Sequence, residues 1–306
     1  MMKILVATEK PFSKAAVDGI REIVEKAGHT FAALEKYTEK QQLLDAVADA
    51  DALIVRSDKV TKEVVEAAKN LKIVVRAGAG YDNLDLEACT EHKVVAMNTP
   101  GQNSNAVAEL AIGMMIMMAR GQYDASTGTE LKGKTLGIQA YGHIGRIVAN
   151  IAKGFGMNVL VSTRSISAED LAKEGVTLVK DVATLYSKCD YISTHIPANA
   201  QTKGSIGYDL LTSMPKGACL INTARKEVIN EAELLKALQD REDLKYATDI
   251  APANAEELKQ FGNRFYATPK KMGAQTKEAN ANAGFAAANQ ICDFLATGNT
   301  QFQVNK

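Results

Sequence analysis

The sequence feature that most constrains the fold is a regular alternation of short β-branched runs with longer amphipathic segments. This alternation is typical of parallel α/β sheets, because each amphipathic helix crosses over from one strand to the next. The rhythm restarts after Lys134, so we expect two doubly wound, Rossmann-like parallel sheets. The predicted strands are Lys3–Ala7, Thr30–Leu34, Ala52–Val55, Lys72–Val75, Val94–Met97, Thr135–Gln139, Val159–Thr163, Tyr191–Thr194, Cys219–Asn222, Tyr246–Asp249 and Phe265–Thr268.

Size and charge narrow the class of protein. The 306 residues fit two domains of ordinary size. Lys plus Arg number 36 and Asp plus Glu also number 36, so no basic stripe is available to attract a nucleic acid. The four cysteines lack any spacing that would hold zinc, and we expect no metal site. We therefore expect a protein that acts on small molecules.

A long apolar segment lies between the two groups of strands. Residues Asn105 to Arg120 form a helical pattern rich in Met and Ala, and we interpret the methionines as core residues. The apolar part, Ala106 to Ala119, is interrupted by Glu109 and is shorter than the roughly 18 residues of a membrane span. The N-terminus shows no signal-peptide pattern, so we expect a cytoplasmic protein without membrane contact.

A turn after the strand Leu136–Gln139 has the composition of a phosphate-binding motif. The turn reads Ala140-Tyr141-Gly142-His143-Ile144-Gly145 and opens a helix, whose first N–H groups suit a pyrophosphate. Gly142 lets the backbone approach phosphate, and Gly145 lets helix and strand pack closely. Ala140 replaces the first glycine of the motif, so an ordinary tight turn is the alternative. The sequence predicts dinucleotide contacts at Tyr141, Gly142, His143, Ile144 and Gly145.

The next strand ends without the acidic residue that usually binds the adenosine ribose of NAD. Thr163, Arg164 and Ser165 stand there instead. These side chains suit a 2′-phosphate, so the cofactor is either NAD or NADP. The alternative for Arg164 is a solvated residue at the end of the strand.

Three further motifs carry a resemblance to a known family. Val75 to Asp85 reads VRAGAGYDNLD, Asn222 to Arg225 reads NTAR, and Gly273 to Ala279 reads GAQTKEA. Over essentially the whole chain the sequence resembles the D-isomer-specific 2-hydroxyacid dehydrogenases, and within them the phosphoglycerate dehydrogenases. The resemblance implies a dinucleotide-binding domain (residues 101–275) inserted into a substrate-binding domain (residues 1–100 plus 276–306), with the active site in the cleft between them.

The resemblance also implies roles for residues of the dinucleotide domain. Arg225 matches the arginine that grips the substrate carboxylate, with a surface ion pair as the alternative. Asp249 matches the aspartate that accepts a hydrogen bond from the nicotinamide amide, with a helix N-cap as the alternative. The cofactor pocket would be lined by His195, Ile196, Pro197, Thr223 and Ala224.

A second group of candidates belongs to the substrate domain. Backbone N–H groups of Gly78, Ala79 and Gly80 would bind the substrate carboxylate, since small residues let a ligand approach the main chain; a plain turn is the alternative. Asn103 would lie nearby. Arg56, Ser57 and Lys59 resemble the phosphate-contacting segment of phosphoglycerate dehydrogenases, with a solvated loop as the alternative.

The catalytic base departs from the family pattern. Members carry a histidine before the Gly-Ala motif and a glutamate after the nicotinamide aspartate, and this chain has neither. Lys271 or Lys270 stands at the histidine position, and Asn254 stands at the glutamate position. We hypothesise that Lys271, with Lys270 as second choice, is the acid/base, its pKa lowered by Arg225 and by partial burial beside the nicotinamide.

The resemblance implies oxidation of D-3-phosphoglycerate, the first step of serine biosynthesis, by a homodimer. Two alternatives stay open: an NADPH-dependent hydroxypyruvate or glyoxylate reductase, and an inactive dinucleotide-sensing protein. Because the sequence ends at Lys306, without a regulatory domain, we expect serine feedback to be absent or different.

Overall fold

The structure is a computed structural model and describes residues 1–305. The chain forms two compact units, a first unit of Met1–Asn103 together with the residues from Gln275 onward, and a second unit of Ser104–Ala274. The strands are β1 (Lys3–Thr8), β2 (Thr30–Glu35), β3 (Ala52–Val55), β4 (Ile73–Arg76), β5 (Val95–Asn98), β6 (Thr135–Gln139), β7 (Asn158–Ser162), β8 (Thr177–Leu178), β9 (Tyr191–Thr194), β10 (Cys219–Asn222), β11 (Lys245–Thr248) and β12 (Phe265–Ala267).

Helices connect these strands throughout. They are α1 (Lys14–Lys26), α2 (Lys40–Val47), α3 (Lys62–Ala67), α4 (Leu86–Glu91), α5 (Ser104–Ala119), α6 (His143–Gly154), α7 (Ala168–Lys173), α8 (Val182–Lys188), α9 (Tyr208–Ser213), α10 (Glu231–Asp240), α11 (Ala255–Leu258) and α12 (Lys277–Thr297). None of the helices found in residues 1–305 is both long enough and apolar enough to cross a membrane.

The first unit contains a five-stranded parallel sheet in the order β2-β1-β3-β4-β5. Alternate residues of the central strands serve two cores: Leu53 and Val55 face one, and Ile54 faces the other. Helices α1 and α12 pack closely where a Cβ on Gly19 would come within 2.5 Å of the Phe285 ring. Both faces of the sheet are therefore covered, as a parallel sheet requires.

The second unit contains a seven-stranded parallel sheet in the order β12-β11-β10-β9-β6-β7-β8. Strand β6 pairs with β7 on one side and with β9 on the other. The chain reverses its winding direction at this point, and the carboxyl ends of β6 and β9 are where such sheets bind ligands. Helix α5 packs against α6, and its Met114, Met115 and Met118 are buried, as expected for core residues.

The expectation of two parallel α/β sheets is confirmed. Each predicted strand lies within one residue of the observed strand at both ends. The two-residue strand β8 has no counterpart among the sequence predictions, because two residues are too few to show a period.

Candidate active site

The phosphate-binding turn joins β6 to α6. Ala140 has a left-handed φ of 76°, the conformation that glycine adopts in this motif. A Cβ on Gly145 would lie 2.6 Å from the carbonyl oxygen of Ala140, so only glycine fits there, whereas a Cβ on Gly142 would meet no atom within 4 Å. The first N–H groups of α6, beginning at His143, have no partners inside the helix. The turn is thus shaped as a cradle for an anion.

Tyr141, expected among the cofactor contacts, has its side chain in the protein core. It is 4% exposed, and its hydroxyl donates a hydrogen bond of 2.9 Å to Glu174. Burial and the Glu174 carboxylate raise the pKa of Tyr141 to about 12. The Arg146 guanidinium lies 5.0 Å from the ring centroid and pairs with the same glutamate. A dinucleotide contact by Tyr141 is therefore restricted to its backbone.

Three buried polar atoms at the carboxyl edge of the same sheet have no hydrogen-bond partner among residues 1–305. They are Oγ1 of Thr194, Nδ1 of His195 and Oγ1 of Thr223. Thr194 is paired in register with Asn222 on one side and Gln139 on the other, so these atoms cluster at the ends of β6, β9 and β10. Buried polar atoms are nearly always satisfied, so these three atoms leave hydrogen-bonding capacity at the sheet edge that a polar ligand can fill.

His195 is held as a neutral imidazole. Its backbone N–H donates to the carbonyl of Gln139 at 2.9 Å, and its Nε2 lies 3.0 Å from Oγ of Ser193. Burial lowers the pKa of His195 from 6.5 to about 4, so the ring carries no charge near neutral pH. A ring with so low a pKa is a poor base for an alcohol proton, which suits the expected lining role. The following Ile196 is partly buried and Pro197 is exposed.

The end of β7 carries no acidic side chain. Thr163 is half-buried, Arg164 is exposed, and the Ser165 N–H donates to Oγ1 of Thr163 at 3.4 Å. The Thr163 hydroxyl is thus the first polar side chain after the strand, and the Arg164 guanidinium extends into solvent.

Asn222, at the end of β10, organises the turn that carries Arg225. The Asn222 side chain is buried; its Oδ1 accepts from the Ala224 N–H and its Nδ2 donates to the Arg225 carbonyl, both at 3.0 Å. The Arg225 side chain is half-buried and donates to the Ala224 carbonyl. Within residues 1–305 no carboxylate pairs with Arg225, so the ion-pair alternative is wrong. The sequence identifies Asn222 as part of the NTAR motif but assigns it no role, although a polar residue closing a buried strand is a usable signal.

Asp249 follows β11 and is fully buried. Its Oδ1 accepts from the Met272 N–H at 2.7 Å and from the Thr268 hydroxyl at 3.1 Å, and its Oδ2 accepts from the Gly273 N–H at 2.8 Å. The helix N-cap alternative is wrong, because α11 begins at Ala255 with Asn254 at its cap. Asp249 instead anchors the segment from Thr268 to Gly273.

Lys270 and Lys271 lie in that anchored segment and are both solvent-exposed. The chain itself does not bury either lysine, so the expected partial burial would have to come from a bound nicotinamide. Asn254, at the position of the family glutamate, donates from Nδ2 to the Glu231 carbonyl at 3.0 Å and leaves its own buried Oδ1 without a partner. An amide in this position cannot carry a proton to a base.

Arg56, in the first unit, is tied to its own chain and is not a solvated loop cation. Its guanidinium donates to the carbonyls of Lys10 and Pro11 and to Oδ1 of Asn280, at 2.8, 3.0 and 2.5 Å, and it lies 5.0 Å from the centroid of the Phe12 ring. The solvated-loop alternative is therefore wrong for Arg56. The neighbouring Ser57 and Lys59 are exposed.

The buried Asp58, which sequence reasoning had missed, shapes this loop. Its carboxylate accepts from the N–H groups of Glu9 and Arg56 and from the Tyr37 hydroxyl, at 2.7, 3.2 and 2.8 Å. Burial and the carboxylate raise the pKa of Tyr37. Three loops at the carboxyl edge of the first sheet are thereby joined through one side chain.

The loop after β4 has the backbone geometry expected of a glycine-rich segment. Gly78 has φ 149°, and the place of a Cβ there is taken by the Arg76 guanidinium. Asn98 donates from Nδ2 to the Ala79 carbonyl at 2.6 Å; Ala79 is exposed, and Gly78 and Gly80 are half-buried. Asn103 is half-buried and directly precedes α5.

A parallel sheet with a glycine turn, orphaned polar atoms and an unpaired arginine at its carboxyl edge defines a dinucleotide-binding protein of the Rossmann type. Residues 106–275 match the profile of the NAD-binding domain of D-isomer-specific 2-hydroxyacid dehydrogenases. The chain belongs to this family.

Relatives of known name cover most of the chain. D-3-phosphoglycerate dehydrogenase of Methanocaldococcus jannaschii is 37% identical over 95% of this chain and 57% of its own length. Hydroxypyruvate reductase of Thermotoga maritima is 34% identical over 84% of this chain and 88% of its own length. The chain spans only 57%, 56% and 54% of the length of the D-3-phosphoglycerate dehydrogenases of Methanocaldococcus jannaschii, Archaeoglobus fulgidus and Rattus norvegicus.

A solved structure is similar over the whole chain. The 3-phosphoglycerate dehydrogenase of Entamoeba histolytica with bound NAD+ is 51% identical, has a TM-score of 0.87, and covers 100% of this chain and 99% of its own.

Proposed function

We propose that this chain is an NAD-dependent dehydrogenase that oxidises D-3-phosphoglycerate to 3-phosphohydroxypyruvate. The observation that carries the proposal is Arg225, an arginine without a carboxylate partner, held by Asn222 beside the orphaned atoms of Thr194 and Thr223. A planar guanidinium suits the carboxylate and hydroxyl oxygens of a 2-hydroxy acid. The similarity to the NAD+-bound Entamoeba enzyme supports the choice of substrate and cofactor.

Residues of the second unit fit the cofactor. Backbone N–H groups from Gly142 to Gly145 would bind the pyrophosphate, and the Thr163 hydroxyl would meet the adenosine ribose. His195, Ile196, Pro197, Thr223 and Ala224 would line the pocket, where the orphaned atoms gain partners. The bound nicotinamide supplies the hydride acceptor. Arg164 offers a cation for a 2′-phosphate, so NADP is the competing cofactor.

Lys271, or Lys270, would take the hydroxyl proton. The neutral amine would accept the proton of the substrate 2-hydroxyl, and a bound nicotinamide would supply the acceptor for the hydride from C2, which leaves the 2-oxo acid. Because the neutral amine becomes more abundant as pH rises, oxidation should accelerate between about pH 7 and about pH 10. Near-wild-type kcat in both Lys270→Ala and Lys271→Ala, or a flat pH profile, would contradict lysine catalysis.

The substrate phosphate would be bound in the first unit. Ser57 and Lys59 are exposed beside Arg56, which has three donor bonds to its own chain and five N–H groups in all. We therefore assign the phosphate chiefly to Ser57 and Lys59, with the remaining donors of Arg56. The carboxylate would meet the backbone of Gly78, Ala79 and Gly80, with Asn103 nearby.

Steady-state reduction rates test the substrate and cofactor together. Phosphohydroxypyruvate, hydroxypyruvate and glyoxylate are each assayed with NADH and with NADPH. The proposal expects the highest kcat/KM for phosphohydroxypyruvate with NADH. Higher values for glyoxylate or hydroxypyruvate would establish the second candidate, a hydroxypyruvate reductase, which the Thermotoga relative favours. Dinucleotide binding without turnover of any oxo acid would indicate a sensing protein.

We propose a homodimer that works in the cytoplasm. The second unit has a surface pocket of about 250 Å³ lined by Ile116, Leu131 and Phe155, and Phe155 and Tyr123 are 41% and 68% exposed. Apolar surface of this kind suits a subunit contact. The four cysteines are thiols, as in proteins of reducing compartments. Sedimentation equilibrium at twice the chain mass supports the dimer, and a monomer contradicts it.

A further inference from the structure

The segment from Thr268 to Gly273 is attached to a single buried carboxylate. Both oxygens of Asp249 accept from it: Oδ1 from the Met272 N–H and the Thr268 hydroxyl, and Oδ2 from the Gly273 N–H. The single proton of the Thr268 hydroxyl is shared between Oδ1 and the Asp249 carbonyl oxygen, which lies closer, at 2.8 Å. Two consecutive peptide N–H groups therefore converge on one side chain.

The Asp249 carboxylate needs the hydrogen-bond donors of this segment, and the segment needs the carboxylate to hold its conformation. Asp249 is 0% exposed, and its carboxylate accepts hydrogen bonds from two peptide N–H groups and one hydroxyl. A buried carboxylate is costly unless N–H and O–H donors replace its water. The three donors that replace water all belong to Thr268, Met272 and Gly273, so the conformation of this segment and the state of Asp249 are coupled.

Gly273 makes the attachment possible. A Cβ at this position would lie 2.9 Å from Oδ2 of Asp249 and 3.2 Å from Cγ2 of Val107. Any larger residue would push the backbone away from the carboxylate. The glycine of the Gly-Ala motif is thus needed for a short hydrogen bond within the chain.

The attachment acts directly on Lys271. The Met272 N–H belongs to the planar peptide that also contains the Lys271 carbonyl, so a bond of 2.7 Å to this N–H fixes the plane that follows Lys271. Lys270 is one peptide further from the anchor. The Lys271 side chain is exposed, and the backbone from which it extends is held.

We propose that Asp249 is a positioning residue for Lys271: its carboxylate fixes the peptide after the lysine and so sets the reach of the amine toward the reacting hydroxyl. The role of the lysine rests on the function proposed above. The anchoring of the segment from Thr268 to Gly273 does not rest on that function. The experiment measures the anchoring and the catalysis separately. The inference also selects Lys271 over Lys270 as the acid/base.

Asp249→Asn is the most informative variant. The amide is nearly the same shape, but its NH2 group faces a peptide N–H where the carboxylate offered a lone pair, so one backbone hydrogen bond is lost. Thr268→Val removes the hydroxyl donor, and Thr268→Ser keeps it. Asp190→Asn is the matched control, since Asp190 also accepts from a backbone N–H, that of Thr135 at 2.8 Å, at the opposite edge of the same sheet.

The experiment combines amide hydrogen exchange of residues 268–276 with kcat and KM in the full chain. For Asp249→Asn we expect faster exchange at Met272 and Gly273, kcat lower by about tenfold or more, and KM for NAD+ changed less than about threefold. Thr268→Val should be intermediate, with Thr268→Ser and Asp190→Asn near wild type. A pH profile of kcat should flatten in Asp249→Asn as in Lys271→Ala.

Two results would overturn the inference. Unchanged exchange at Met272 and Gly273 would show that Asp249 does not hold the segment. A raised KM for NAD+ with unchanged kcat would show that Asp249 acts on the nicotinamide alone. If exchange rises while Lys271→Ala keeps full kcat, the lysine mechanism fails although the anchor is real, and the positioning of Lys271 has no catalytic meaning.

Discussion

Among single residues, Ala140 shows how a departure from a motif is accommodated by the fold. The backbone keeps the left-handed φ of 76° that the motif requires although the residue has a Cβ. An L-residue other than glycine pays about 1–2 kcal/mol for that conformation. The phosphate-binding turn therefore forms although alanine disfavours the left-handed conformation at position 140.

Replacing Ala140 by glycine tests this strain. We expect Ala140→Gly to leave the free energy of unfolding unchanged or to raise it by up to about 1 kcal/mol, since relief of strain outweighs the greater entropy of the unfolded chain. The matched control, Ala172→Gly in α7, should cost up to about 1 kcal/mol. Urea unfolding checks both variants, and an equal loss in the two would contradict the strain argument.

Site residues were predictable where strand ends alone determine them. Arg225 and Asp249 follow buried strands, and the carboxyl ends of parallel strands meet at one edge. The partners of Arg56 were not predictable, because Lys10 and Asn280 are 46 and 224 residues away in sequence. The same holds for Asp249, whose anchor depends on backbone N–H groups 23 and 24 residues further on. Hydrogen bonds of this kind leave no periodic signal.

At the scale of elements, the strand-turn-helix unit β6-α6 depends on close packing at Gly145. A Cβ there would lie 2.6 Å from the Ala140 carbonyl oxygen and 3.1 Å from Cγ2 of Ile138. Helix and strand meet with no room for a methyl group. Strands such as β3, β9 and β10 were predictable because they are short runs buried at every position, whereas the two-residue β8 is defined by its pairing with β7 alone.

Gly145→Ala tests the packing of this unit. We expect a loss of about 1–3 kcal/mol in the free energy of unfolding and weaker NAD+ binding, because the turn must move away from the helix. Gly154→Ala, in the last turn of the same helix, places its Cβ in open space and should be neutral or stabilising by up to about 1 kcal/mol. Isothermal titration with NAD+ and urea unfolding separate the two variants, and equal behaviour would contradict the account.

For the whole molecule, His195 links stability to pH. Its folded pKa of about 4 lies below the ordinary value of 6.5, so the unfolded chain binds the proton first. The contribution of the neutral ring to stability is complete above about pH 6.5 and is lost as pH falls toward about 4. The protein should therefore unfold at lower temperature in mildly acidic solution.

Thermal unfolding at about pH 7.5 and about pH 5 measures this dependence. Wild type should lose more stability between the two conditions than His195→Gln, which has no imidazole at position 195. His92→Gln, at an exposed histidine, should behave as wild type. An identical pH dependence in wild type and His195→Gln would show that His195 does not control this loss.

The function of the molecule is tested most directly by oxidation of D-3-phosphoglycerate. The purified chain is mixed with NAD+ and either D-3-phosphoglycerate or D-glycerate, which lacks the phosphate, and NADH formation is followed with the oxo acid trapped. The account predicts NADH from D-3-phosphoglycerate with kcat/KM at least about a hundredfold above that for D-glycerate. Bound NAD+ without NADH formation, or equal rates for the two acids, would contradict it.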